Sequence, residues 1–350
     1  MTRLSPNVTL LWALRSKCDL GCSYCYFGTV EEHRAAGVPA ESGRLSHLSS
    51  SDLSLAEISA FIATLAGSPV QRIFLAGGEP LIWPPMLDVI KAIKDAGVQV
   101  VLCTNGIRLG QEDVAAQIID VGTDAVSVSL DSTDPVANDR FRPARHGAHG
   151  WGDVVSGIHA LLRARRSGEP PRVGVYSVIT SQNVRQIYDM GILAASLGCD
   201  YYVPQPVSLA ADHPLHAQLS LSGVHHIALA HALDCLYRAK LPLALPPRGY
   251  AQRFIASIAT DAGWVANCFG GRELFFIEPD GSVWDCPSSL KIAATPPARR
   301  RTIRDQTAAS LFAAKSRCTD CTLFSRDCVN MWPLMDFGYF ALAGGDHDPG

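Results

Sequence analysis

Cys18, Cys22 and Cys25 stand within eight residues, in the run Cys18-Asp19-Leu20-Gly21-Cys22-Ser23-Tyr24-Cys25, spaced Cys-x3-Cys-x2-Cys and just after the apolar stretch Val8–Leu14. A structural zinc ion is closed by four ligands, commonly two pairs of cysteines, and this run offers three thiols. A disulfide framework belongs to oxidising compartments and usually to small domains, whereas this chain has 350 residues. Three thiolates in one tight loop suit three irons of a cubane iron–sulfur cluster and leave the fourth iron without a protein ligand. Such an open iron can bind a small molecule directly.

The elements that must hold this loop follow from the periodicity downstream. Gly28–Asp52 is rich in Gly, Ser, Ala and charge and reads as a loop near the mouth of the site. After it, helix-period segments alternate with short apolar runs. Helices are expected at Leu55–Ala66, Met86–Ala96, Gln111–Val121, Trp151–Arg165 and Val184–Leu197. Strands are expected at Arg72–Leu75, Val98–Cys103, Ala125–Leu130, Val173–Ile179 and Tyr201–Val207. With Val8–Leu14 as the first strand there are six βα units, which predicts an α/β fold, a partial (β/α)6 barrel rather than the closed eightfold one. Ligands of such sheets sit at the carboxyl ends of the strands. Gly77-Gly78-Glu79-Pro80, Asn105, Ser129 and Asp131 fall there. Two glycines admit a close approach to the backbone, and a carboxylate beside them can accept from an ammonium group. Taken alone, Gly-Gly-Glu-Pro also suits a plain turn.

The cysteine motif, with the aromatic Tyr24 before its last cysteine and Gly77-Gly78-Glu79-Pro80 after a following strand, resembles the signature of the radical SAM superfamily. The resemblance covers roughly Val8–Val207 and implies a (β/α)6 partial barrel. It implies that Cys18, Cys22 and Cys25 hold a 4Fe-4S cluster whose open iron chelates the amino and carboxylate groups of S-adenosylmethionine. One-electron reduction then gives the 5′-deoxyadenosyl radical, which abstracts hydrogen from a substrate C–H bond. Gly77, Gly78 and Glu79 correspond to the motif that receives the methionine amine. Asn105, Ser129 and Asp131 resemble ribose and carboxylate contacts, Arg142 matches an arginine kept near the SAM carboxylate, and Val178 would pack on adenine. Simple core packing is an equal reading of Val178.

From Trp264 the βα rhythm stops. Glu273–Pro279, Asp280-Gly281 and Ser282–Cys286 read as a β-hairpin. Cys268 precedes it, Cys286 ends it, and Cys318-Thr319-Asp320-Cys321 and Cys328 follow. Spacing alone leaves zinc and an iron–sulfur cluster open. The arrangement resembles the C-terminal extension called SPASM, or its shorter form, twitch. A full SPASM domain carries seven cysteines, and five are present here. One auxiliary 4Fe-4S cluster on Cys268, Cys286, Cys318 and Cys321 is therefore implied. Cys328 is then spare: a buried thiol, an alternative ligand or a hydrogen-atom donor. The expected division is a core over 1–210, a helical bridge over 211–260 that includes Leu219–Ala239, a small C-terminal cysteine-rich β-hairpin/helix extension over 261–335, and a tail over 336–350.

Composition bounds the rest. A net charge of −3 and a basic run, Arg299, Arg300, Arg301 and Arg304, with no interleaved aromatic platform give no reason to expect nucleic acid. No apolar run reaches the length of a membrane span and none reads as a signal peptide, so a cytoplasmic protein is expected. Eleven cysteines in that compartment point to metal ligation. Cys103, Cys199 and Cys235 read as buried small hydrophobes, and no histidine has catalytic spacing. By analogy with peptide maturases that share the motif style and tail, the expected substrate is a ribosomally made peptide. The alternative is a small sugar-like metabolite, and a zinc-binding regulator is the non-enzymatic rival. The short stretch before Cys18 has no room for a leader-binding domain, which would then be a separate protein. A flavodoxin- or ferredoxin-like electron donor is the other expected partner.

Overall fold

Six apolar strands run parallel in chain order and are joined by helices. β1 is Val8–Arg15, β2 Val70–Gly77, β3 Gln99–Thr104, β4 Ala125–Ser129, β5 Arg172–Ile179 and β6 Tyr201–Pro206. β7 is Val265–Ala266, β8 Leu274–Ile277, β9 Ser282–Trp284, β10 Arg301–Thr302 and β11 Asp320–Cys321. The structure, a computed structural model, describes residues 7–25, 52–111, 113–145, 150–209, 211, 213–259, 265–266, 268–313, 320–321 and 326–342. Its main sheet has nine strands in the order β10-β9-β8-β1-β2-β3-β4-β5-β6. Neighbours from β1 to β6 are parallel, as the βα reading requires, and the sheet is open rather than closed on itself.

The strands alternate faces as a pleat demands. Leu10, Trp12 and Leu14 of β1 pack outward into the large core under the helices. The helices present their apolar stripes to that core, as Val89, Ile90 and Ile93 do from Met86–Asp95. Leu55–Ile62 begins in a capping box: the Ser54 hydroxyl accepts from the Glu57 amide, and Glu57 accepts from the Ser54 amide at 2.8 Å. The helix Pro135–Phe141 was not expected, although Asp134 before Pro135 is a capping signal and accepts from the Val136 amide at 2.9 Å.

The structure adds two features to the sequence reading. The hairpin forms at Asp280-Gly281 with Gly281 at φ +88°, but its first strand, β8, pairs in parallel with β1. The extension thus continues the core sheet, because β8 (Leu-Phe-Phe-Ile) is buried along its whole length and needs a covered position. Residues 336–342, expected in a tail, close the inner face. Phe337 sits edge-on to Phe74 at 5.1 Å and to Tyr201 at 5.3 Å, with Phe340 beside them. Ala125 and Tyr201 in this cluster open their strands, so the aromatic plug lies toward the amino ends, away from the site.

Candidate functional site

The cysteine loop leaves β1 at Arg15 and is clamped from two sides. On one side the amides of Gly78 and Glu79 donate to the carbonyls of Arg15 and Lys17, each at 2.7 Å. A Cβ on Gly78 would overlap the Lys17 carbonyl, and Gly77 stands at φ +124°, so both glycines are needed for this approach. On the other side the Gly21 and Ser23 amides donate to the carbonyls of Pro143 (2.8 Å) and Phe141 (2.9 Å), and Arg145 Nε donates to the Leu20 carbonyl (3.0 Å). Asp52 anchors the entry through the Ser16 amide and the Arg15 guanidinium. The rest of the expected mouth loop, 28–51, lies outside the described residues.

Glu79 is buried, and its carboxylate accepts from the Asn105 amide (2.6 Å), the Thr104 hydroxyl (2.7 Å) and the Leu81 amide (3.0 Å). Burial nevertheless outweighs these bonds and pushes its pKa up to about 7. Asn105 adds a second link, donating from Nδ2 to Asp19 Oδ1 at 2.6 Å. Thr104 and Asp19 were not singled out from the sequence. Their signal was position: one ends β3, and the other follows Cys18.

Asp131 is the hub of the opposite wall. Its Oδ2 accepts from the Tyr24 hydroxyl at 2.7 Å and from Arg142 Nη1 at 2.9 Å, and its Oδ1 accepts from the Val178 amide at 2.7 Å. All four residues come from different segments, and this one carboxylate ties them together. Burial works against the Arg142 charge, but Cys22, Asp131 and Tyr24 beside it more than offset that and raise its pKa. Burial, reinforced by Asp131, drives the Tyr24 phenol well above its ordinary value, so it donates as a neutral hydroxyl. Asn183 locks the hub from behind, donating to the carbonyls of Asp131 (2.8 Å) and Val178 (2.9 Å). Ser129 ends β4, half-buried, opposite Tyr176 in the β5 register.

The three thiols share this walled loop. The Leu20 amide donates to Cys18 Sγ at 3.4 Å, and the Cys25 amide donates to the Cys22 carbonyl at 3.1 Å. Burial first, then Glu79 and the two sister cysteines, raise the pKa of Cys18. Among the described residues no three His, Cys, Asp or Glu side chains converge on a single-ion position. A cubane asks for something wider, with thiolates spread over its corners, and a three-thiol loop fits that demand. The site also carries positive charge to balance thiolates, in Arg142 beside Cys22.

The second cysteine set is partly drawn together. Cys286 is buried at the end of the hairpin; burial, and then Cys328 and Cys268, raise its thiol pKa. The Gly270 amide donates to Cys268 Sγ at 3.4 Å. Cys328 lies on the helix Asp327–Asn330, whose Asp327 accepts from the Ser289 amide at 2.9 Å, just past Cys286. Cys321 lies on β11, paired with β7 next to Cys268 in the chain. Cys318 lies outside the described residues. Cys103, expected to be buried, is half-buried and faces the inner cluster; Cys235 is half-buried and Cys199 buried.

The sequence matches the family described as the Radical SAM superfamily over residues 14–190. It is 29% identical to an AdoMet-dependent heme synthase of Methanosarcina barkeri (strain Fusaro / DSM 804), over 55% of this chain and 48% of the relative. It is 25% identical to the mycofactocin maturase MftC of Mycobacterium ulcerans (strain Agy99), over 82% of this chain and 70% of the relative. The chain therefore spans about half the length of the first of these curated relatives. The fold is similar to that of Streptococcus suis SuiB bound to S-adenosylmethionine (TM-score 0.58, 12% identity, 85% of this chain and 63% of that one). It is similar also to native anSMEcpe with bound AdoMet (TM-score 0.60, 15% identity, 88% of this chain and 81% of that one). With a clamped Cys-x3-Cys-x2-Cys loop at the carboxyl ends of an open parallel sheet and a family match over residues 14–190, the chain belongs to the radical SAM superfamily.

Proposed function

We propose that this chain is a radical SAM enzyme that modifies a ribosomally made peptide by abstracting hydrogen from a C–H bond. Cys18, Cys22 and Cys25 would hold a 4Fe-4S cluster; Gly77, Gly78, Glu79, Asn105, Ser129, Asp131, Arg142 and Val178 would receive S-adenosylmethionine. When bound, such a cluster supplies the electron that splits the carbon–sulfur bond of S-adenosylmethionine into methionine and a 5′-deoxyadenosyl radical. The chain's own residues do the positioning. The Gly77-Gly78-Glu79 loop and the 141–145 segment fix the cysteine loop from both sides, and the Tyr24–Asp131–Arg142 hub fixes the far wall.

The single observation that carries the chemistry is this double clamp on a three-cysteine loop. A peptide is supported by the alignment with a protein named as a maturase, which spans 82% of this chain, and by the fold shared with SuiB bound to its precursor peptide SuiA. Relatives named as a heme synthase and as probable GTP 3′,8-cyclases support a second reading, a small metabolite as substrate. The auxiliary centre is part of the same proposal, with Cys268, Cys286 and Cys328 in its ligand set and the fourth ligand drawn from Cys318 and Cys321. The electrostatic effect of Cys328 on the Cys286 thiol, alongside that of Cys268, supports including it.

The test is anaerobic reconstitution with iron and sulfide, followed by incubation with S-adenosylmethionine and any short peptide encoded beside this gene. A mass change in the peptide that depends on Cys22 is the expected result. A colourless, zinc-loaded protein would refute the reading at its root. An iron-loaded protein that changes only small metabolites would move it to the second reading.

A further inference from the structure

We propose that the exposed edge carrying Arg299 and Arg300 is the docking surface for a small acidic protein that carries single electrons. This rests on the reading above that the chain works by one-electron chemistry, and it adds the surface through which electrons arrive. β10 is the outermost strand of the sheet, and the basic run lies along it. Two of its four arginines are already answered: Arg301 binds Asp285, and Arg304 binds Glu57 at 2.7 Å. Arg299 and Arg300 are exposed and meet no carboxylate among the described residues. The Arg300 guanidinium stands 5.8 Å from the ring centre of Trp284, so a ring from the neighbouring strand underlies a run that has no aromatic of its own. Next to it opens a cleft of about 360 Å³ lined by Arg300, Arg301, Thr302, Gln306, Ser310 and Leu311. Five of its six lining residues end in hydrogen-bonding groups, and their carbon stems with Leu311 supply the apolar part.

Charge and position select the occupant. The chain as a whole is acidic, at −3, and repels an acidic partner except where guanidinium charge is locally unanswered. The edge also touches the two residues that precede Cys286 in the chain. Arg300 rests on Trp284, Arg301 grips Asp285, and the next residue is Cys286. A partner seated here stands a few residues from the cysteines proposed to hold the auxiliary centre. The exchange is one electron: the carrier's reduced flavin or iron–sulfur centre is oxidised by one, an iron–sulfur centre of this chain is reduced by one, and no bond forms or breaks.

The test measures the affinity of the full chain for a purified acidic flavodoxin, by fluorescence titration at low and at physiological ionic strength. Arg299→Glu and the double variant Arg299→Glu/Arg300→Glu are compared with wild type. The expected result is binding that weakens with salt and weakens roughly tenfold or more in the double variant. Urea midpoints and dithionite-driven S-adenosylmethionine cleavage should stay unchanged. The single variant leaves the Trp284 contact intact and should show an intermediate loss. Unchanged flavodoxin affinity in the double variant, or no binding by wild type, would overturn the proposal. Loss of affinity for an acidic peptide substrate with flavodoxin binding intact would overturn it in favour of a substrate-docking edge. Failure of dithionite-driven cleavage in wild type would instead sink the proposed function, and the flavodoxin titration would still stand as measured.

Discussion

Replacing Glu79 by Gln should remove a pH dependence from the stability of the metal-free chain. Glu79 is 1% exposed, and burial raises its pKa from the ordinary 4.5 to about 7. The folded chain therefore holds this proton more tightly than the unfolded chain does. The stability that the proton contributes is fully present below pH 4.5 and is lost as pH rises through 7. A shift of roughly 2.5 units corresponds to about 3 kcal/mol at about 1.4 kcal/mol per unit. Gln cannot titrate, so its contribution is flat. It also sets an amide NH2 against one of the donors that Glu79 satisfies, an offset of about 1–3 kcal/mol that does not vary with pH. Urea unfolding of both proteins at several pH values from 4.5 to 8 separates the two effects. The wild type should lose about 3 kcal/mol relative to Glu79→Gln across that range. A constant difference at every pH would mean that the carboxylate is ionised throughout, and the reasoning from burial would be wrong.

Three other outcomes follow from the same geometry. Gly78→Ala should destabilise the chain by about 1–3 kcal/mol and lower iron uptake, since the new Cβ meets the Lys17 carbonyl; urea unfolding and iron analysis check both. Arg142→Met should cost about 3–5 kcal/mol, because Asp131 is left as a buried carboxylate without its counter-charge; a loss under about 1 kcal/mol would show that water reaches the hub. Cys328→Ala should lower the iron content of the reconstituted protein while the Cys18 loop stays loaded; unchanged iron would remove Cys328 from the auxiliary ligand set.

The parallel core was legible because both of its signals are local. Helical spacing and short apolar runs marked each βα unit, and Asp280-Gly281 marked the hairpin turn. The attachment of β8 to β1 was not legible, since pairing across some 260 residues leaves no local pattern. The plug at Phe337 and Phe340 was missed for the same reason: two aromatics near a chain end look alike whether they lie in solvent or in a barrel. At the site, chemistry-bearing types at strand ends pointed to Glu79, Asn105 and Asp131. Their partners were hidden. Nothing in sequence says that Tyr24 donates to Asp131 across 107 positions, or that residues 141–145 clamp the cysteine loop. The ring beneath Arg300 was hidden as well, because Trp284 lies on a neighbouring strand and not within the basic run.

The central claim is that the Cys18–Cys25 loop holds an iron–sulfur centre that cleaves S-adenosylmethionine. The direct measurement is 5′-deoxyadenosine release by anaerobically reconstituted, dithionite-reduced protein, wild type against Cys22→Ala. Slow release by the wild type that is lost in Cys22→Ala, with iron retained in the second cysteine set, is the predicted result. Release that persists in Cys22→Ala, or an iron-loaded wild type that never releases it with or without peptide, would contradict the account.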